Sequence, residues 1–165
     1  MMKITLLQVL LAALSAIAVF GQRNLTATIP EPSHCFSVYP RKGLKGTIGG
    51  HKFTGVKYSV DLIHINDPFY ATYKDAVAGG NNPIGRVLGF FSEVTQSGPV
   101  GLEFFKTESW LALYNGQGPN GIPNVILGGS GCFLGATGTI TRTTLANGKV
   151  FQYLLCTKDA LPCSP

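Results

Sequence analysis

Two side chains two residues apart, His64 and Asn66, sit at the end of a stretch in which Val56, Tyr58, Val60, Leu62 and His64 alternate with Lys57, Ser59, Asp61 and Ile63. Residues spaced by two share one face of a strand. A mostly apolar face would thus end in an imidazole and a carboxamide, and an imidazole with its near-neutral pKa can move protons. His64 and Asn66 are therefore the candidate catalytic pair, and the face that carries them is expected to be buried. A lone histidine on such a face also suits a purely structural hydrogen bond.

Other chemistries find little support. The acids Asp61, Glu93, Glu103 and Glu108 stand singly in different segments, whereas glycoside cleavage needs two carboxylates about 5–10 Å apart. There is no GxSxG elbow for a serine nucleophile and no GK[ST] after a glycine-rich turn for phosphate binding. The four cysteines, Cys35, Cys132, Cys156 and Cys163, form no CxxC, and His34, His51 and His64 adjoin no cysteine pair. No metal or other cofactor is expected.

The chain opens with Met1-Met2-Lys3, an apolar run from Ile4 to Phe20, and then Gly21-Gln22. That is the layout of a secretory signal peptide, so residues 1–21 are read as a leader and the protein as secreted and extracellular. No later apolar stretch is long enough to span a membrane as a helix. Loss of Lys3 with the leader lowers the formal charge from +5 to +4, carried by scattered residues with no basic run, which argues against nucleic acid. In an exported chain the four cysteines imply two disulfides. Asn24-Leu25-Thr26 is a glycosylation sequon.

Residues 22–47 carry Pro30, Pro32 and Pro40 without apolar periodicity, which predicts an extended arm on the surface. Residues 48–165 read as one domain. Glycine and proline recur about every ten residues and no helical periodicity is sustained, so short strands are predicted over Val56–Asn66, Gly85–Thr95, Gly101–Thr107, Trp110–Tyr114, Asn124–Leu127, Gly135–Leu145 and Lys149–Cys156. Periodicity alone leaves a sandwich or a closed barrel. Ala146-Asn147-Gly148-Lys149 is the clearest hairpin turn, because Asn-Gly accepts the positive φ angles of a type I′ loop.

That turn fixes a register. If Ala146 faces Lys149, paired residue numbers sum to 295, so Cys156 falls opposite Thr139, seven residues from Cys132, too far for a bridge at about 3.3 Å per residue. Cys132 with Cys163 and Cys35 with Cys156 are then the favoured pairs, with Cys35 to Cys163 as the rival.

The stretch Val125-Ile126-Leu127-Gly128-Gly129-Ser130-Gly131-Cys132-Phe133-Leu134-Gly135-Ala136-Thr137-Gly138 resembles the GGSGxFxGxxG motif of plant allene oxide cyclases and the GGTGxFxxARG motif of dirigent proteins. Ile84-Gly85-Arg86-Val87-Leu88-Gly89-Phe90-Phe91 and Tyr114-Asn115-Gly116-Gln117-Gly118-Pro119 are similar to segments of the same families in the same order, and Lys149–Leu155 fits their closing strand. The run Ile63–Asp67 is similar to the first barrel strand of the cyclases.

This resemblance implies an all-β fold, an eight-stranded antiparallel β-barrel that is commonly a trimer and holds a small apolar molecule. In the cyclases that molecule is a fatty-acid epoxide, in the dirigents phenoxy radicals or a quinone methide. The resemblance puts Asn66 at the position of the cyclase asparagine, His64 where the glutamate stands, and Phe91 near the cysteine. Cys132 takes the place of a dirigent acid, and Leu134 and Thr137 take the places of its arginines. Tyr58, Leu62, Phe91, Trp110 and Tyr114 are the expected ligand-binding residues. The function implied is guidance of a stereoselective coupling or cyclisation. The alternatives are a non-catalytic extracellular binder of lipids or phenolics, or a secreted effector that uses the barrel as a scaffold.

Overall fold

Asn147 and Gly148 do turn the chain with positive φ angles of 55° and 79°, and Ala146 joins them at 43°. The Lys149 amide donates to the Ala146 carbonyl across the turn. The hairpin flanking it pairs Gly138–Leu145 with Val150–Thr157 in the predicted register, from Leu145 opposite Val150 to Thr139 opposite Cys156.

The computed structural model describes residues 34–59, 62–92, 97–116 and 123–162. These lie in one compact unit, Glu31–Pro165. Its strands are β1 (His34–Pro40), β2 (Gly46–Ile48), β3 (His51–Phe53), β4 (Lys57–Ser59), β5 (Leu62–Tyr70), β6 (Gly85–Ser92), β7 (Ser97–Phe104), β8 (Ser109–Gly116), β9 (Pro123–Ser130), β10 (Gly138–Leu145) and β11 (Val150–Thr157). From β5 to β11 each strand pairs antiparallel with the next, β11 pairs with β1, and β1 returns to β5 through Tyr39 opposite Tyr70 and Pro40 opposite Phe69. The sheet is thus a closed eight-stranded barrel, and closure leaves no unpaired edge within that ring. β2 and β3 form a separate hairpin, and β4 adds to β5 outside the ring.

Two segments differ from the sequence reading. Residues 34–40, expected in a surface arm, are a barrel strand. The single strand expected over Val56–Asn66 is the hairpin of β4 with β5, in which Lys57 opposes His64 and Ser59 opposes Leu62. A six-residue helix, α1 (Tyr73–Ala78), joins β5 to β6. Thr72 caps it by accepting from the Asp75 amide at 3.1 Å, and the Arg41 guanidinium donates to the Ala76 and Val77 carbonyls at its other end.

The barrel interior follows from alternation. Val38, Phe69, Val87, Val100, Leu102, Phe104, Leu111, Leu113, Ile126, Phe133, Ile140 and Leu155 pack as one buried cluster. Phe104 lies between Phe69 and Phe133, with ring centroids 5.0 and 4.8 Å away. Phe133 belongs to the turn after the Gly128-Gly129-Ser130-Gly131 run, which explains the glycines. A Cβ on Gly129 would lie 2.5 Å from the Phe133 Cβ and 2.7 Å from the Trp110 carbonyl oxygen. Gly131 has φ 59°, and a Cβ there would sit 2.4 Å from the Ser109 hydroxyl, which accepts from the Cys132 amide at 3.1 Å. We expect Gly129→Ala to lower stability by about 2–3 kcal/mol, because backbone on both sides prevents relief. Urea unfolding checks this; a cost below about 0.5 kcal/mol would mean the turn moves freely.

Candidate functional site inside the barrel

On β5 the odd-numbered residues Ile63, Ile65, Asp67 and Phe69 share one face, of which Ile65 and Phe69 pack in the core. One of them is an acid. Asp67 is 5% exposed, opposite Val87 in the ladder, and its Oδ1 accepts from the Gly43 amide at 3.2 Å. Burial raises its pKa from 3.8 to about 6, against the opposing pull of the Gly43 hydrogen bond and the Lys42 charge.

Two further polar side chains share the interior. Tyr153 on β11 lies opposite Val38 on β1 and opposite Arg142 on β10. Partners in an antiparallel ladder project to the same face, so Arg142 has the inward register of Val38 and Tyr153. Its guanidinium stands 4.8 Å from the centroid of the Phe151 ring, which packs against the core. Tyr153 is buried, which raises its pKa; the Arg142 charge lowers it and the Asp67 charge raises it. The phenol thus lies within the field of both charges. The set comprises a carboxyl group that titrates near pH 6, a phenol, and a guanidinium: proton donors and acceptors around a mostly apolar wall.

The sequence-derived pair lies elsewhere. His64 and Asn66 share a face as expected, but it is the outer wall, since the β5 residues that pack in the barrel core, Ile65 and Phe69, are odd-numbered. His64 is exposed, its ring 6.3 Å from Phe90. Asn66 is half-buried under the β2–β3 hairpin; its Nδ2 donates to the Lys52 carbonyl at 3.3 Å, and its backbone exchanges hydrogen bonds with Gly55. Its Oδ1 is buried with no hydrogen-bond partner among the described residues.

Of the expected ligand contacts, Leu62, Trp110 and Tyr114 also lie on the outside, the last two 48% and 46% exposed, and Tyr58 is 67% exposed on β4. Phe91 pairs with Ile63. The outer wall carries a groove of about 460 Å³ whose lining includes Leu88, Phe90, Trp110, Leu127, Glu103 and Glu108. Sequence reasoning missed Asp67, although an acid continuing the Ile63, Ile65 alternation into Phe69 was the available signal.

Cys35 and Cys156 are bonded, opposite each other across β1 and β11, as the hairpin register favoured. Cys132 is also disulfide-bonded. Its expected partner, Cys163, and the Asn24 sequon lie outside the described residues, as does the leader. Among the described residues no group of three or more His, Cys, Asp or Glu is placed to hold a metal ion, and no helix is long and apolar enough to cross a membrane.

The fold is a closed eight-stranded antiparallel barrel of dirigent-like architecture. The structure is similar to that of the pterocarpan synthase dirigent protein GePTS1, with a TM-score of 0.53 and 13% identity over 79% of this chain and 88% of that one. No protein-family model matches the sequence, and no curated protein matches it.

Proposed function

We propose that the protein is a secreted dirigent-like barrel that binds a small reactive apolar molecule, a phenolic or an oxidised lipid, and guides its stereoselective coupling or cyclisation. The observation that carries this is the convergence of Asp67, Tyr153 and Arg142 inside the barrel. Asp67 is a neutral acid below about pH 6 and a base above it, suited to exchange a proton with a bound intermediate. The apolar wall would exclude water and hold one conformer, and orientation alone can supply much of the selectivity. Likeness to a dirigent protein that is a pterocarpan synthase supports small-molecule chemistry on this scaffold. The leader and the disulfides fit secretion.

Mass spectrometry of small molecules that copurify with the secreted protein is the direct test. Retention of a phenolic or oxidised lipid by the native protein, and altered product handedness in Asp67→Asn, would support guidance. Retention without any conversion would favour the plain binder. An empty protein that binds none of these molecules would favour the scaffold, a reading encouraged by the large side chains of Phe69, Phe104 and Phe133 inside the barrel.

A homo-oligomer, a trimer by resemblance, would cover the outer wall, where Phe90, Trp110, Tyr114, Val125 and Leu127 are exposed. Light scattering should then give a multiple of the chain mass that Leu127→Glu reduces to a monomer. A monomeric wild-type protein would refute it.

A further inference from the structure

Arg142 is the one member of the interior set whose charge is left unanswered. Among the described residues its guanidinium has no ion-pair or hydrogen-bond partner; the ion pairs present are those of Glu103 with Arg86 and His51, on the outer wall. Its contact is the face of Phe151. Arg142 is half-buried, and a ring face replaces only part of the hydration that a cation gives up on such burial. Asp67, the acid of the interior set, is instead bonded to the Gly43 amide and influenced by Lys42. Tyr153, directly opposite, is a buried phenol kept neutral by burial.

A planar guanidinium with free donors matches a carboxylate in a two-pronged hydrogen-bonded pair. A ligand phenol would be neutral near pH 7, with an ordinary pKa of about 10, whereas a carboxylic acid would be ionised, with one of about 4. The anion that complements Arg142 is therefore a carboxylate. The remaining wall, with Phe151, Tyr153, Leu155, Ile140 and Val38, suits the apolar body of such a molecule.

We propose that Arg142 receives the carboxylate of the ligand, so that the barrel selects apolar carboxylic acids over their neutral analogues. This deepens the proposed function and rests on the interior being the ligand site. A lipid acid and a phenolic acid share the chemistry. Two acid and ester pairs separate them: cis-parinaric acid with its methyl ester, followed by fluorescence, and 4-hydroxycinnamate with its methyl ester, followed by calorimetry, all near neutral pH.

For one pair the acid should bind about ten-fold or more tighter than the ester, and the pair that shows it identifies the source. Arg142→Gln should abolish that preference, weakening the acid far more than the ester. Arg142→Lys, which keeps the charge and loses the fork, should retain part of it, and serves also if the glutamine variant does not fold. Esters binding as tightly as acids, or a preference that survives Arg142→Gln, would overturn this proposal while leaving an interior ligand site intact. Failure of all four compounds to bind the native protein would overturn it together with the interior site itself.

Discussion

Replacing both Cys35 and Cys156 with serine lowers the free energy of unfolding by about 4–5 kcal/mol. The two residues are 121 positions apart, so the bond closes nearly the whole described chain into one loop. In the chain-entropy account a loop of that size restricts the unfolded ensemble by about this amount at room temperature. The bond also sits where the barrel closes. β1 meets β11 through five residue pairs but meets β5 through only two, so β1 is the seam of the ring. Cutting the bond releases the chain end that holds the seam shut. Urea unfolding of the double variant under non-reducing conditions measures the loss, and the double change avoids leaving a reactive thiol. A cost under about 1 kcal/mol would show that the ladder alone holds β1 in place.

The same bond shows how much could be read from the sequence. Asn147-Gly148 demanded a tight turn, the turn fixed a register, and the register removed Cys156 from reach of Cys132. Each step depended on backbone geometry local to a few residues. The glycine run before Phe133 was similarly legible, because only glycine permits the approach of Phe133 to the Gly129 backbone.

The interior face of β5 was not legible, and the outer wall explains why. Alternation identifies the buried face only when the other face is polar. Here the outer residues Leu62, Phe90, Trp110, Tyr114, Val125 and Leu127 are large and apolar, so both faces of several strands read as core. The hairpin of β4 with β5 misled further, since two short strands in sequence looked like one continuous strand ending at Asn66. Pairing with β6 settles the face: Asp67 opposes buried Val87, while His64 opposes exposed Phe90. Arg142 escaped for a related reason. Its strand alternates threonines with Ile140 and Arg142, a pattern that marks no polar residue as the inward one.

The stability of the protein should depend on Asp67 in a way that a surface acid's would not. Folding raises the Asp67 pKa from 3.8 to about 6, chiefly by burial, so the folded chain holds this proton more tightly than the unfolded chain does. The stabilisation from that proton is fully present below pH 3.8 and is lost as the pH rises through about 6. A shift of this size corresponds to roughly 3 kcal/mol. Asparagine cannot ionise, yet its Oδ1 can still accept from the Gly43 amide. Asp67→Asn should therefore gain on the native protein by roughly 2 kcal/mol as the pH is raised from about 4 to about 7. Other titrating groups are common to both proteins and cancel in the difference. Urea unfolding at a series of pH values gives the curve, and a difference that stays flat would mean that the Asp67 carboxylate is not buried at a cost. If the slope is found, the proposed guidance would have Asp67 as a proton donor in mildly acidic surroundings, and the pH near 6 at which the stability curve levels off should coincide with the midpoint of any pH dependence in product handedness.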